Sequence, residues 1–467
     1  MIAGPLLLIS LPLIAAAVIY PFRRWSLLTA TIAAATSLFL GLACLRLPLD
    51  APSTLWRWTV QLGQPVIVLG RELALQPAGA SVLGFTFLLS AVIFLLAGVI
   101  PQGHLFPPMS LTVLSMIGAS ILVRHPLFTV LALWLAVILA AFFVQGDRHD
   151  SVRGALRYVT MHTLAIAPFL VTSWLLDLHL ENPDSVAPLR TLTILLTLGF
   201  GILLAIVPFH GWITAVAKDA PPLGSALLFT VENLAVLLLL SDLVQRHPWL
   251  LEDPLLLQGL TWGGLLTLML GGIMAWVQQD FGHLLGYGTL SDMGGMLMAL
   301  GTGTELGMQA AVTLILFRAV SLVVTGVGLS AIRRQRSSDA FSDMEGVARQ
   351  QPLSTVTLIL GGLSLAGLPP LAGFAGRWQL LNFFAPEHTN WCWLIFLAGW
   401  GVAFGYLRGL RAALSSPPEP KEHTSSPEPL ISIIAAIATI TLAAALGFNP
   451  RPILTLTARI VTALPMP

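Results

Sequence analysis

The sequence predicts an all-α polytopic membrane protein, and three observations support this fold class. Only 10% of the residues are charged and 56% are hydrophobic, whereas soluble domains contain about 25% charged residues. The mean hydropathy is +0.85. Apolar runs of about 20 residues, the length that crosses a hydrocarbon core about 30 Å thick, recur along the whole chain. No large soluble domain fits between these runs.

The apolar runs predict about 14 transmembrane helices. The predicted starts lie near residues 3, 26, 80, 108, 126, 157, 190, 222, 257, 285, 306, 353, 390 and 430. The first run has neither a charged leader nor a small-residue cleavage site, so we expect it to be retained as a membrane helix. An even number of crossings predicts that both termini lie on the same side of the membrane.

The distribution of basic residues predicts the orientation. Loops after odd-numbered spans contain thirteen of the 23 lysines and arginines. These are Arg23, Arg24, Arg148, Arg153, Arg157, Lys218, Arg333, Arg334, Arg336, Arg349, Arg408, Arg411 and Lys421. Because cytoplasmic loops are enriched in lysine and arginine, we expect these loops in the cytoplasm and both termini on the periplasmic side of the inner (plasma) membrane.

Two segments have the composition of loops. Residues 413–429 include the stretch SSPPEPKEHTSSPEP, whose proline, serine and charged residues predict a flexible cytoplasmic linker before the last span. Residues 47–77 alternate apolar residues such as Trp56 with polar residues and turn formers, which predicts a small outer hairpin. The chain therefore begins with three spans in residues 1–107 and ends with one span and a tail in residues 430–467.

Several other classes of site lack support in the sequence. The formal net charge of +1 argues against nucleic-acid binding, which favours a basic face. Cys44 and Cys392 are too far apart in sequence to suggest a metal motif, and the sequence has no CxxC, HExxH or GxxxxGK[ST] pattern. We therefore expect no cofactor, no metal and no catalytic site on this chain. We expect its apolar surface to contact the lipid bilayer.

Four stretches occur in an order that is typical of one membrane-protein family. An Arg-Tyr pair opens the sixth span at Arg157, and PFHGW at 208–212 precedes APPLGSALL at 220–228. WVQQDFGHLLGYGTLSDMGGMLMALG follows at 276–301, and LSLAGLPPLAGFAGRWQLL lies at 363–381. The sequence thereby resembles the antiporter-like membrane subunits shared by respiratory complex I (NADH:quinone oxidoreductase), Mrp-type cation/proton antiporters and membrane-bound hydrogenases.

The resemblance implies an internal architecture and a set of partners. It implies two inverted five-helix repeats, spans 4 to 8 in residues 108–246 and spans 9 to 13 in residues 247–412, each with one discontinuous helix. Pro208 is expected to break span 7, and Pro369 and Pro370 are expected to break span 12. The resemblance also implies that the chain lies beside other membrane subunits and that the coupled chemistry resides on a soluble catalytic subunit.

The resemblance further locates a row of buried charges that this chain has largely lost. Typical members carry a glutamate in span 5 and lysine, histidine or glutamate residues in spans 7, 8, 11 and 12. Such residues suit proton transfer because burial shifts their pKa values away from those in water. The matching positions in spans 5, 7 and 8 are Leu135, Leu203 and Leu234. Spans 11 and 12 carry Arg318 and Arg377, and an arginine does not release its proton at accessible pH.

The remaining buried polar residues are each open to two interpretations. A carboxylate such as Glu232 in an apolar run is costly in lipid, so it is either a relocated proton carrier or half of a structural ion pair with Arg318. Asp292 is either a new carrier or a helix cap. His210 follows the break in span 7 and is either a proton relay or a hydrogen-bonded cap. His162 is interpreted as a hydrogen-bond donor in helix packing, with a functional role as the alternative.

The candidates for a proton or ion pathway are Glu232, Arg318, Arg377, His210, Asp292 and His162. Other charged positions are interpreted differently. In the stretch at 276–301, Gly282 occupies the family's lysine position, with His283 beside it. Lys218 and Asp219 lie in an expected cytoplasmic loop and are interpreted as a solvated pair.

These observations favour an antiporter-like subunit of a multisubunit membrane complex, which contributes to proton or cation translocation with a degenerate charge row. Two alternatives stay open. The leucines at the lost charge positions favour a non-conducting structural scaffold within such a complex. The family resemblance also allows a membrane subunit of an inorganic-carbon uptake system, in which the partner is a soluble zinc-containing protein.

Overall fold

The computed structural model describes residues 2–55, 58–68, 70–146, 152–181, 187–251, 254–336, 338–415 and 428–464. Helices account for most of these residues. Several positions used in the sequence analysis lie outside the described residues, namely Trp56, Arg148, Lys421 and residues 416–427 of the predicted linker. Just after this linker segment, the Glu428 carboxylate accepts hydrogen bonds from the Leu353 and Ser354 amides.

Three helices and five short strands make up the first part of the chain. The helices are α1 (Gly4–Ile19), α2 (Ser26–Arg46) and α3 (Pro77–Val99). The strands are β1 (Ile2–Ala3), β2 (Ser53–Leu55), β3 (Trp58–Gln61), β4 (Val66–Val68) and β5 (Arg71–Leu73). In one sheet β3 pairs in parallel with β1 and antiparallel with β2, and β4 pairs antiparallel with β5 in another. The segment for which we predict a hairpin therefore contains two antiparallel strand pairs.

The rest of the chain is helical. The next six helices are α4 (Phe106–Leu122), α5 (Pro126–Val144), α6 (Val152–Glu181), α7 (Ala187–Leu203), α8 (Gly211–Asp219) and α9 (Pro222–Arg246). They are followed by α10 (Pro254–Val277), α11 (Phe281–Leu300), α12 (Glu305–Gln335), α13 (Val347–Gln350), α14 (Pro352–Leu365), α15 (Ala372–Phe384), α16 (Thr389–Leu414), α17 (Leu430–Phe448) and α18 (Arg451–Thr462). Single 3₁₀ turns lie at Tyr20–Phe22, Pro248–Leu251 and Phe341–Asp343.

The helices agree with the spans that the apolar runs predict. Each predicted start lies within five residues of the first residue of a helix, the largest difference being that between 157 and Val152. Within the described residues, 10 helices are long and apolar enough to cross a membrane, and α4, α14 and residues 189–203 of α7 form shorter apolar helices. The chain is therefore a multi-pass, mostly helical membrane protein.

Two helix pairs are each separated by a short non-helical gap that contains proline. Between α7 and α8 the gap includes Pro208, and between α14 and α15 it includes Pro369 and Pro370. Proline cannot donate the amide hydrogen that would continue a helix. In the second gap Gly367 adopts φ +79°, and a Cβ at this position would lie 2.5 Å from Cδ of Arg377, so only glycine fits without rearrangement.

Two helices lie at the centre of the bundle. The apolar stretch of α9 is buried along its whole length, and that of α12 is 94% buried. These two helices pack against each other, and α12 also packs against α14 and α15. Because α9 carries Glu232 and α12 carries Arg318, both charged side chains lie inside the protein and away from lipid.

Candidate functional site

The carboxylate of Glu232 lies in the centre of α9, where the residue is 5% exposed. Its partners come from α6. The Tyr158 hydroxyl donates a hydrogen bond to Oε2 over 2.8 Å, and Nε2 of His162 contacts Oε1. Tyr158 and His162 are four residues apart, so they lie on the same face of α6. The first candidate site is therefore a carboxylate held by a phenol and an imidazole.

The hydrogen bond made by Nδ1 of His162 limits where the protons of the His162–Glu232 pair can lie. Nδ1 of His162 lies 2.8 Å from the Tyr158 backbone carbonyl, which can only accept a hydrogen bond, so Nδ1 carries a hydrogen. A hydrogen bond between Nε2 and Glu232 then needs one further proton, on either the imidazole or the carboxyl group. The His162–Glu232 pair therefore holds one shared proton in either of two positions.

This arrangement corrects the ion pair that the sequence suggested between Glu232 and Arg318. The Glu232 carboxylate is engaged by Tyr158 and His162, whereas Nη2 of Arg318 donates to the Phe229 carbonyl over 3.4 Å. The expectation was wrong because α9 is rotated so that Glu232 faces α6. This rotation could not be predicted from the sequence, because apolar residues occur on every side of α9.

The second buried group joins α11 and α15. Asp292 of α11 accepts a hydrogen bond from Nη2 of Arg377 of α15, and both residues are buried. Asp292 also acts electrostatically on Arg318, which is 1% exposed. Nε and Nη1 of Arg318 have no hydrogen-bond partner within the described part of the chain. Asp292 is thus a counter-ion for buried arginines, and the suggestion that it caps a helix is wrong.

The cap of α11 is Asp280, whose carboxylate accepts a hydrogen bond from the His283 amide over 2.8 Å. His210 occupies the cap position of α8, but its side chain makes no capping hydrogen bond within the described residues. His210 therefore does not cap α8, although its side chain forms a hydrogen bond with the Pro208 backbone in the same turn. Its Nδ1 is buried without a partner among the described atoms, and its role as a proton relay stays a prediction.

A charged loop cluster lies where α8 ends, α11 begins and α12 is followed by its loop. It consists of Lys218, Asp280, His283, Arg333 and Asp339. Asp339 pairs with Lys218 over 2.5 Å and with Arg333 over 2.5 Å, and Lys218 also lies 3.1 Å from Asp280. Burial alone raises the pKa of Asp339, but the two cations outweigh it and hold this pKa well below its usual value.

The loop cluster corrects the interpretation of Lys218 and Asp219 as a solvated pair. Lys218 pairs with Asp339 and Asp280, and Oδ2 of Asp219 accepts a hydrogen bond from the Gly154 amide over 2.8 Å. A Cβ at Gly282, the family's lysine position, would lie 2.6 Å from Nη2 of Arg333 and 2.8 Å from Oδ2 of Asp339. The space next to Gly282 is therefore already filled by charged groups from elsewhere in the chain.

Several residues that build these groups were not singled out in the sequence. Tyr158 was noted only as part of a family pair, although its four-residue spacing from His162 could have suggested a shared partner. Asp339 lies 121 residues from Lys218 in the chain, so no local pattern connects them. Leu203 and Leu234 are buried and Leu135 is exposed, so two of the three leucines at lost charge positions lie in the core.

Comparison with known proteins agrees with the fold. The family model described as "NADH:quinone oxidoreductase/Mrp antiporter, TM" matches residues 176–402. NADH-quinone oxidoreductase subunit N of Desulforamulus reducens is 27% identical over 270 residues, which are 56% of this chain and 54% of that protein. Formate hydrogenlyase subunit 3 of Escherichia coli K12 is 26% identical over 309 residues, which are 60% of this chain and 48% of that protein.

The matches to these relatives span about half of each relative's length. A solved structure extends the likeness of fold to almost the whole chain. A chain of the Mrp complex from Dietzia sp. DQ12-45-1b superposes with a TM-score of 0.77 and 16% identity, covering 99% of this chain and 97% of that one. Residues 176–402 therefore match the antiporter-like membrane subunit family shared by NADH:quinone oxidoreductases and Mrp antiporters.

Proposed function

We propose that this chain is a proton-translocating, antiporter-like subunit of a multisubunit membrane complex. Translocation is coupled to chemistry on partner subunits, which include other membrane subunits and a soluble catalytic subunit. Family membership supports the role, since the relatives it resembles are subunits of an NADH-quinone oxidoreductase and a formate hydrogenlyase. The chain's own contribution is to move protons through the bundle.

The observation that carries this proposal is the hydrogen-bonded pair of His162 and Glu232. Both members of the pair bind and release protons, and one proton is shared between them. When the contact opens, the carboxylate and the neutral imidazole can separate and that proton can leave. A structural ion pair with arginine would not behave in this way, because arginine keeps its proton.

The buried arginines act as fixed positive charges in this proposal. Arg377 neutralises Asp292, and Arg318 bridges the space between that pair and α9 through the Phe229 carbonyl. Arg318 interacts with Asp292, and in this proposal a proton that arrives at or leaves Glu232 would act on Asp292 through the charge of Arg318. Asp292 and Glu232 are thus the two carboxylates between which charge is coupled.

We also propose a topology with 14 crossings. The pairs α7 with α8 and α14 with α15 each count as one discontinuous crossing, and α4 to α9 and α10 to α16 form two inverted repeats. In support, α6 packs against both α7 and α8, just as α12 packs against both α14 and α15. The distribution of basic residues supports a proposed orientation with the loop cluster in the cytoplasm and both termini on the periplasmic side of the inner membrane.

The rival function is a structural scaffold, which the buried leucines at positions 203 and 234 favour. Reconstitution of the intact complex into liposomes, with proton flux followed by a pH-sensitive dye, separates the two. Glu232→Gln removes the carboxylate that shares the proton and should reduce flux by about 10²-fold or more. Asp242→Asn is the matched control, since it removes a more exposed carboxylate of the same helix that pairs with Arg246.

Both variants should assemble normally, as judged by the subunits that co-purify. Unchanged flux in a fully assembled Glu232→Gln complex would contradict proton translocation through this site and would favour the scaffold. An equal loss of flux in Asp242→Asn would show that the effect does not depend on the shared proton.

A further inference from the structure

Trp212 lies between the helix gap and the proton-sharing pair. It belongs to the first turn of α8 and is 1% exposed. Its ring centroid lies 4.8 Å from that of His162, with the two planes at 73°, and 5.4 Å from that of Tyr158. The indole therefore contacts both side chains that hold the Glu232 carboxylate.

The polar end of the same side chain reaches across the gap. Nε1 of Trp212 donates a hydrogen bond to the Ile202 carbonyl over 3.3 Å. Ile202 lies in the last turn of α7, where carbonyls lack partners within the helix. The same carbonyl accepts a hydrogen bond from the Ala205 amide over 3.2 Å, and Ala205 adopts a φ of 51°. Trp212 thus ties the start of α8 to the end of α7.

We propose that Trp212 is a positioning residue that couples the geometry of the gap between α7 and α8 to the proton shared by His162 and Glu232. This inference rests on the proposed proton translocation and adds a mechanical link to it. A change in the angle between α7 and α8 moves the indole, because its N–H is fixed to α7 while its backbone belongs to α8. The rings of His162 and Tyr158 then lose or regain their contact with the indole of Trp212.

The ring contact also has a chemical consequence. A cation that lies over the face of an aromatic ring is stabilised, most strongly by tryptophan. In the proposed link, the edge of the His162 ring meets the indole face in the T-shaped contact at 73°, so the indole favours the state in which the shared proton sits on the imidazole. Displacing the indole favours the state in which the proton sits on Glu232. The gap geometry and the position of the proton are coupled through this one side chain.

Two substitutions test separately the hydrogen bond from Trp212 to Ile202 and the ring contact between Trp212 and His162. Trp212→Phe keeps an aromatic ring next to His162 but loses the N–H bond to Ile202, whereas Trp212→Leu loses both. Trp262→Leu is the control, because Trp262 is a tryptophan exposed on the outer surface of α10. The measurements on the intact complex are proton flux as a function of pH and hydrogen exchange of the amides in residues 204–210.

We expect faster exchange in residues 204–210 for both Trp212 variants, because the tether across the gap is lost. The pH profile of flux should stay in place for Trp212→Phe and move to lower pH for Trp212→Leu, where the protonated imidazole has lost its aromatic neighbour. Trp262→Leu should change neither measurement. If Trp212→Leu does not assemble, Trp212→Phe alone still tests the tether through hydrogen exchange.

Unaltered exchange in residues 204–210 for Trp212→Phe would overturn the inference, as would a pH profile in Trp212→Leu that matches the wild type. The hydrogen-exchange result does not depend on the proposed function, whereas the pH profile requires measurable proton flux. Full flux in Glu232→Gln would refute proton translocation through the pair, whatever the exchange data show. Loss of flux in Glu232→Gln with an unmoved profile in Trp212→Leu would refute only the role of Trp212.

Discussion

Replacing Asp339 with asparagine removes the negative charge at the centre of the loop cluster. The Asp339 side chain is 2% exposed and contacts Lys218 and Arg333, whose side chains are 30% and 7% exposed. It connects the loop after α12 to the end of α8. Its removal therefore leaves Arg333 as a buried cation without its carboxylate partner, while Lys218 can regain water and still pairs with Asp280.

The magnitude follows from these exposures. Removing one partner of a buried ion pair costs about 3–5 kcal/mol, whereas an exposed pair is worth about 1 kcal/mol or less. Lys218 is partly exposed, and Arg333 retains its hydrogen bonds to the Lys218 and Ala220 carbonyls. We therefore expect a loss of stability at the lower end of the range for a buried pair. Asp339→Asn should therefore lower the free energy of unfolding by about 3 kcal/mol at neutral pH.

The pH dependence has a definite sign. The folded-state pKa of Asp339 lies below its usual value of 3.8, so the unfolded chain binds a proton more readily than the folded one. The stabilisation is complete well above pH 3.8 and is lost as the pH falls through the lowered pKa of the folded state. The difference in stability between wild type and Asp339→Asn should therefore shrink as the solution is acidified below pH 3.8.

Titration of the purified protein with a denaturing detergent in mixed micelles, followed by tryptophan fluorescence, measures this difference. Asp343→Asn is the matched control, since Asp343 lies in the same loop and is exposed; this change should alter stability by no more than about 0.5 kcal/mol. Equal stability of wild type and Asp339→Asn at neutral pH would refute the reasoning. So would a difference that persists unchanged in acid.

Three further substitutions test other contacts. Gly282→Ala should destabilise the protein by about 1–3 kcal/mol, because its Cβ meets the buried ion pair, whereas Gly211→Ala meets no atom within 4 Å and should be neutral or slightly stabilising in the same unfolding assay. Tyr158→Phe removes the hydroxyl that donates to Glu232. Tyr158→Phe should lower the free energy of unfolding by about 1.5–3 kcal/mol and slow proton flux in liposomes. An unchanged free energy of unfolding together with unchanged flux would contradict the described site.

The positions of the helices could be predicted from the sequence, because crossing a membrane requires about 20 consecutive apolar residues. Proline marks both gaps, since it removes an amide donor wherever it occurs. Glu232 was recognisable as a carboxylate within an apolar run, and the family resemblance located Asp292 and Arg377 as unusual charges. Each of these inferences depends on residues that are close together in sequence or on a motif.

The partners of these charges could not be predicted in the same way. Which side of α9 faces α6 depends on helix rotation, and an all-apolar helix carries no sequence signal for rotation. The distance between Glu232 and His162 is 70 residues in sequence, and that between Arg377 and Asp292 is 85. The sequence could therefore identify the charges but not how they pair.

The pairing determines how the chain could move protons after losing its lysines. Because an arginine keeps its proton at every accessible pH, Arg377 cannot pass one on, and the proposed function therefore assigns the mobile proton to the group around Glu232 and His162. Arg318 contacts the backbone of α9 and interacts with Asp292, and in the proposed function its fixed charge acts on both groups. Coupling between the two groups is then electrostatic, and a proton need not pass from one to the other for each to sense the other's state.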